Sequence, residues 1–186
     1  MAVIEPKTVI LKNGKEVCIR TPVAEDALSV IRYLKAVFVD DRFFMTTEEE
    51  AQKWQEPEKE QKILQENYLD ENKLMLATEM NQQIISLSNV HAGERNRNRH
   101  VGQMGISILP EYRGNGLGTV IMQTMIDWAA AHPLIEKLAL GVWADNAPAI
   151  ALYEKMGFIE EGRKVREVKY ADGSYDDCIL MHRFVE

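Results

Sequence analysis

Residues 101–109 read VGQMGISIL, an apolar run that Pro110 ends, and YRGNGLG (112–118) follows before a second apolar pattern begins. That second pattern places Leu117, Val120, Ile121, Met125, Trp128 and Ala129 at helical spacing, so one face of a helix is apolar. Pro133 limits the helix, and IEKLALGVW (135–143) returns to strand-like residues. Strand, glycine turn, helix and strand in this order are most economically a crossover between two parallel strands. Whatever else the chain does, it must build a mixed α/β fold around that unit.

Three glycines at alternate positions have two readings. They turn a corner, or they let an anion approach bare backbone. The first turn of a helix carries N–H groups with no intrahelical partner, and the positive end of the helix dipole favours negative charge there. Gly114 and Gly116 allow close approach of phosphate oxygens, Gly118 allows close helix packing, and Arg113 adds charge or makes a surface contact. A nucleoside-triphosphate loop needs Lys and then Ser or Thr after its glycines; here Thr119 follows Gly118 without that lysine. A dinucleotide-binding turn needs a different glycine interval and an acidic strand end, and neither is present.

The 186 residues suffice for a single domain over 1–186 with a sizeable core, and 46% apolar with 27% charged residues is the composition of a folded protein. The net charge of −7 gives no strong nucleic-acid signal. Cys18 and Cys178 stand at opposite ends, with neither a disulfide framework nor metal-ligand spacing, so no metal is expected. No run of eighteen apolar residues offers a spanning helix, and Glu5, Lys7 and Lys12 break up any secretory signal; the expectation is a cytoplasmic protein.

Elsewhere the chain reads as two short strands about Asn13-Gly14, then an amphipathic helix on Ala27, Val30, Ile31, Leu34, Val37 and Phe38. Charged helical turns broken at Pro57 follow, then strands LMLATEM and IISLSNVHA and a loop, GERNRNRH. After Trp143 comes a short helix with Asn146 as cap, Pro148 in its first turn and Gly157 at its stop. A hairpin about Asp172-Gly173 completes the chain.

The segments ILPEYRGNGLGTVIMQTMIDWA and NAPAIALYEKMGFIEEG together resemble the GNAT superfamily of N-acetyltransferases. The family's phosphate motif, Arg/Gln-x-x-Gly-x-Gly/Ala, maps onto Arg113, Gly116 and Gly118, and its later asparagine and tyrosine onto Asn146 and Tyr153. The resemblance implies a mainly antiparallel central sheet with splayed parallel strands and flanking helices. It also implies acetyl-coenzyme A as acetyl donor, held by the turn residues Arg113, Gly114, Asn115, Gly116, Leu117, Gly118 and Thr119, by the backbone at Ile106 and Ile108, and by Asn146. Asn146 equally reads as a helix cap alone, and the two isoleucine side chains as ordinary core.

By the same resemblance Tyr153 gives a proton or hydrogen bond to the departing thiolate, and its phenol is a donor at neutral pH. A half-buried packing tyrosine is the plain alternative. His91, His100 and Glu111 are the candidates for taking the amine proton, alongside a water chain. An amine-bearing small molecule or polypeptide is the implied acceptor. Phe43, Phe44, Met45, Trp54, Asp40, Asp41 and Glu48 are the candidate acceptor residues, each with a structural reading beside it. The resemblance is compatible with a homodimer. The competing class is a regulatory or assembly domain that binds acyl-coenzyme A with little turnover.

Overall fold

The computed structural model describes residues 3–39, 43–53 and 56–185. Its strands are β1 (Lys7–Ile10), β2 (Glu16–Arg20), β3 (Lys73–Met80), β4 (Gln83–Ala92), β5 (Val101–Ile108), β6 (Lys137–Trp143), β7 (Ile159–Lys169) and β8 (Tyr175–Phe184). Its helices are α1 (Ala27–Val37), α2 (Glu48–Gln52), α3 (Pro57–Leu69), α4 (Leu117–Ala131) and α5 (Ala147–Lys155). The strand order is β1-β2-β3-β4-β5-β6-β8-β7. β1–β2, β2–β3, β3–β4, β6–β8 and β7–β8 are antiparallel, while β5 and β6 are parallel, as the crossover reading requires. The parallel register runs from Val101↔Lys137 to Gln103↔Ala139 and stops there, although both strands continue.

The chain divides into two compact units, Met1–His91 with Gly105–Ile121 and Ala92–Met104 with Met122–Glu186, so β5 and α4 each belong partly to both. In the first unit, the β1–β2 turn forms because Gly14 takes φ 79° and Asn13 Oδ1 accepts the Lys15 N–H at 3.1 Å. Asn81 (φ 50°) and Gln82 (φ 66°) close the β3–β4 hairpin; asparagine suits that region, and glutamine accepts it at a cost. Arg20 ties β2 to β3 and to the turn before α1. It reaches Asp26 at 2.7 Å and Glu79 at 2.9 Å. Asp26 is held below the usual carboxylate range, chiefly by Arg20's hydrogen bond, against the opposing effect of burial.

The apolar stripe of α1 is buried at Ala27, Val30, Ile31 and Val37, with Phe38 just beyond, whereas Leu34 is half-buried and Tyr33 is in the core. Pro57 does not merely break a helix: it occupies the first turn of α3, where a missing N–H costs nothing. Thr47 and Glu50 cap α2 reciprocally, at 3.3 Å and 2.8 Å.

The second unit is the β6–β8–β7 sheet with α5. Its core holds Leu138, Leu140, Val142, Phe158, Ile179 and Met181. A Cβ at residue 141 would lie 2.9 Å from Cys178 Sγ, so a side chain there would require that sulfur to move. Arg166 sits at φ 55° in an irregularity of β7, held by its N–H to Asp177 Oδ1 at 2.8 Å.

Candidate functional site

In the first unit the chain leaves β5 through a short turn, Pro110–Tyr112, fixed at both ends. The Leu109 N–H donates to Ile85 O at 3.0 Å, and Arg113 N–H donates to Pro110 O at 3.1 Å. The Arg113 side chain curls back, its Nε donating to Ile108 O at 2.8 Å. The guanidinium is thus anchored at the strand end, and the residue is exposed. Gly114 and Gly116 have φ 76° and 86°, values that L side chains rarely adopt.

A Cβ at Gly114 would meet nothing within 4 Å, and the three atoms nearest to one at Gly116 are carbons of Lys12, at 3.5–3.7 Å, ordinary contact distances. Conformation, more than crowding, therefore demands these glycines, and the backbone presents an open face. The Val120 N–H donates to Gly116 O at 3.3 Å, the first bond of α4. Helical geometry consequently leaves the N–H groups of Leu117, Gly118 and Thr119 without intrahelical acceptors. The Leu117 side chain is buried, as is Ile121 one turn on, which anchors the start of α4 in the core of the first unit. Asn115 braces the turn by donating to Arg113 O at 3.1 Å. Ile106 and Ile108 are half-buried on the strand that enters the turn.

Lys12 is at this turn too. Its N–H donates to Asn115 O at 3.1 Å and its side chain lies along Gly116, while Lys15 Nζ stands 5.9 Å from the Tyr112 ring centroid. No motif in residues 101–162 points to these lysines, which belong to the first hairpin. Only the tertiary placement of that hairpin brings them in.

In the second unit, Tyr153 lies on α5, 7% exposed, its ring centroid 6.2 Å from that of Phe158. Burial pushes its phenol up to about 12. Asn146 caps α5, its Oδ1 accepting the Ala149 N–H at 3.3 Å, and Gly157 follows the helix at φ 82°. A cleft of about 550 Å³ in this unit, lined by Gln123, Lys155, His182, Arg183 and Phe184 among others, contains none of the sequence-predicted residues.

Of the candidate proton acceptors, His91 is half-buried in β4 and pushed below the ordinary imidazole range, first by burial and then by Lys73. His100 makes a backbone contribution: its carbonyl accepts the N–H groups of Glu136 and Lys137 at 2.9 Å and 3.1 Å. Glu111 is exposed. Phe44 packs edge-on against Phe38 at 4.8 Å, Met45 is 63% exposed, and Glu48 opens α2 in solvent. Asp40, Asp41 and Trp54 lie outside the described residues.

Among the described residues no group of three or more His, Cys, Asp or Glu is arranged to hold a metal ion. Nor is any helix among them long and apolar enough to cross a membrane.

The model of the Acetyltransferase (GNAT) family matches residues 39–158. L-amino acid N-acetyltransferase AaaT of Escherichia coli (strain K12) is 31% identical over 102 residues, 54% of this chain and 61% of the relative. An N-alpha-acetyltransferase of Saccharolobus solfataricus is 38% identical over 89 residues, 47% of this chain and 48% of its own. The matches thus span about half the length of these curated relatives. The crystal structure of an acetyltransferase of the GNAT family from Streptococcus pneumoniae superposes with a TM-score of 0.85 at 28% identity, covering 91% of this chain and 99% of that one.

Proposed function

The chain belongs to the acetyltransferase (GNAT) family, and from that premise we propose that it is an N-acetyltransferase, one domain over 1–186, that moves acetyl directly from acetyl-coenzyme A to a primary amine. The amine belongs to a small molecule or a polypeptide N-terminus, classes represented by the amino-acid and N-alpha-acetyltransferase relatives. The observation that carries the reading is the turn into α4, where three N–H groups at a helix start stand beside two positive-φ glycines with open backbone.

When bound, acetyl-coenzyme A supplies an activated thioester on a diphosphate-bearing arm. In this reading Leu117, Gly118 and Thr119 donate their N–H groups to the diphosphate, and Arg113 and Lys12 add charge at its flank. The backbone of β5 at Ile106 and Ile108 holds the pantetheine arm. Asn146 orients the start of α5, and Tyr153 donates to the sulfur as it leaves.

A phenol held near 12 is neutral throughout the physiological range, so it is always a donor. A free thiol ionises at about 8.5, well below the phenol, so complete proton transfer from the phenol to a thiolate runs uphill. A hydrogen bond that stabilises the thiolate is the role that fits. The attacking amine must be neutral, and its proton leaves after the C–N bond forms. His91, His100 and Glu111 are the side chains that could accept it, directly or through water; burial pushes His91 below the ordinary imidazole range, which leaves its ring nitrogen a weaker base.

We place the activity in the cytoplasm. The test is acetyl-coenzyme A with a panel of amino acids, polyamines and N-terminal peptides, read by free-thiol release and by the mass of the acetylated product. Amine-dependent thiol release supports the reading. Binding of acetyl-coenzyme A without turnover on any amine supports the acyl-coenzyme A-binding regulator instead.

A further inference from the structure

Tyr33 of α1 is only 2% exposed, yet it carries a hydroxyl into the core of the first unit. That hydroxyl donates to Ser107 Oγ at 2.8 Å, and Ser107 in turn donates to Leu87 O at 3.1 Å. Two side-chain hydroxyls thereby tie α1, β5 and β4 together, the tyrosine buried and the serine half-buried. Burying the tyrosine hydroxyl is costly unless it is satisfied, and an apolar contact would hold the same elements without that demand. What a hydrogen-bonded pair adds is direction, because such a bond weakens steeply off line whereas an apolar contact slides.

The direction matters because of where Ser107 sits. It lies between Ile106 and Ile108, and strand alternation turns Gly105 and Ser107 to one side and the two isoleucines to the other. On the Ser107 side, Asn89 Oδ1 is 3.0 Å from where a Cβ on Gly105 would be, so the amide lies against bare strand. At the strand end, Arg113 holds Ile108 O and Leu109 is bonded to Ile85 O. The rotation of β5 about its own axis over residues 105–109 is therefore set by polar contacts.

We propose that Tyr33 and Ser107 are positioning residues for acetyl transfer. Their hydroxyl clasp fixes the rotation of β5, so that the backbone groups at Ile106 and Ile108 present the acyl-pantetheine arm at the angle the attack requires. The proposal rests on the reading above that β5 carries that arm. Neither residue touches the reacting atoms. Their effect passes through the strand, and misplacement of a reacting group by about 1 Å is enough to cost roughly a hundredfold in rate.

The experiment compares Tyr33→Phe, Ser107→Ala, the double variant and Ser107→Thr. It measures kcat with the fastest amine of the panel (or thioester loss to water where no amine reacts), the calorimetric Kd for acetyl-coenzyme A, and Tm. Each of the two single variants is expected to lower the rate about tenfold while Kd moves less than about twofold. The double variant should be no slower than the slower single, because both break one clasp, and Ser107→Thr should recover most of the rate. Wild-type rates in Tyr33→Phe and Ser107→Ala overturn the proposal, as does a rate loss that only tracks the folded fraction. A wild-type chain that binds no acetyl-coenzyme A overturns the proposed function itself. Binding and turnover with unimpaired variants overturn the clasp alone.

Discussion

Burial sets the protonation of Tyr153, on which its proposed part in the reaction depends. Desolvation disfavours the phenolate, so the hydroxyl remains a donor wherever the enzyme would work. Tyr153→Phe is expected to lower kcat by roughly ten- to a hundredfold while acetyl-coenzyme A binds as before, a split that steady-state kinetics with calorimetry resolves. The pH dependence has a definite sign. The folded-state value is raised from about 10 to about 12, so the stability this burial contributes is intact below pH 10 and is lost as pH rises towards 12. Alkaline unfolding of Tyr153→Phe should lack that component. At the same scale, Ser86 and Ser88 in β4 bury hydroxyls without hydrogen-bond partners among the described residues. Ser86→Ala is accordingly expected to leave Tm unchanged or raise it, and a fall of more than a few degrees would show a bond at that hydroxyl. Tyr153 could be singled out in the sequence as a candidate because it falls in a motif, and its role is what Tyr153→Phe tests. The two serines could not be, since alternation along a strand does not say whether a hydroxyl finds a partner.

The elements that build the turn divide into local and distant contributions. Periodicity located α4, glycine and asparagine located the hairpins, and Asn146 was legible as a cap because capping is settled within a few residues. Asn146→Ala is expected to cost about 1 kcal/mol of stability, measured by denaturant unfolding. A loss of acetyl-coenzyme A affinity in the folded variant would mark a ligand contact in addition. Lys12 was not legible, since a hairpin more than a hundred positions earlier has no sequence link to the turn it lies against. Lys12→Glu is expected to weaken acetyl-coenzyme A binding several-fold at low salt, with the difference shrinking as ionic strength rises. The Arg20 tie was equally hidden, and Asp26→Asn should destabilise the chain by about 1–3 kcal/mol at neutral pH. Because Asp26 is depressed in the fold, its contribution is present above its unfolded value and fades as pH falls through the folded one, so wild type and variant should converge in acid.

Across the whole molecule, the chain carries a net charge of −7, yet the ligand proposed for it is a polyanion. The two are compatible because binding follows the local field, and the turn gathers oriented N–H groups and lysine charge in one place. The crossover was legible from the strand–turn–helix–strand order, and the mixed fold from that unit together with the antiparallel strands before and after it. Acceptor choice was not, since it depends on side chains brought together from separate segments, and Asp40, Asp41 and Trp54 lie outside the described residues. Donor binding precedes every later step, so it is the claim to test first. Calorimetric titration of the full chain with acetyl-coenzyme A should give saturable one-to-one heat and a raised Tm, as mass action requires of a ligand that binds only the native state. A folded sample that shows neither heat nor a Tm shift at millimolar acetyl-coenzyme A contradicts the account.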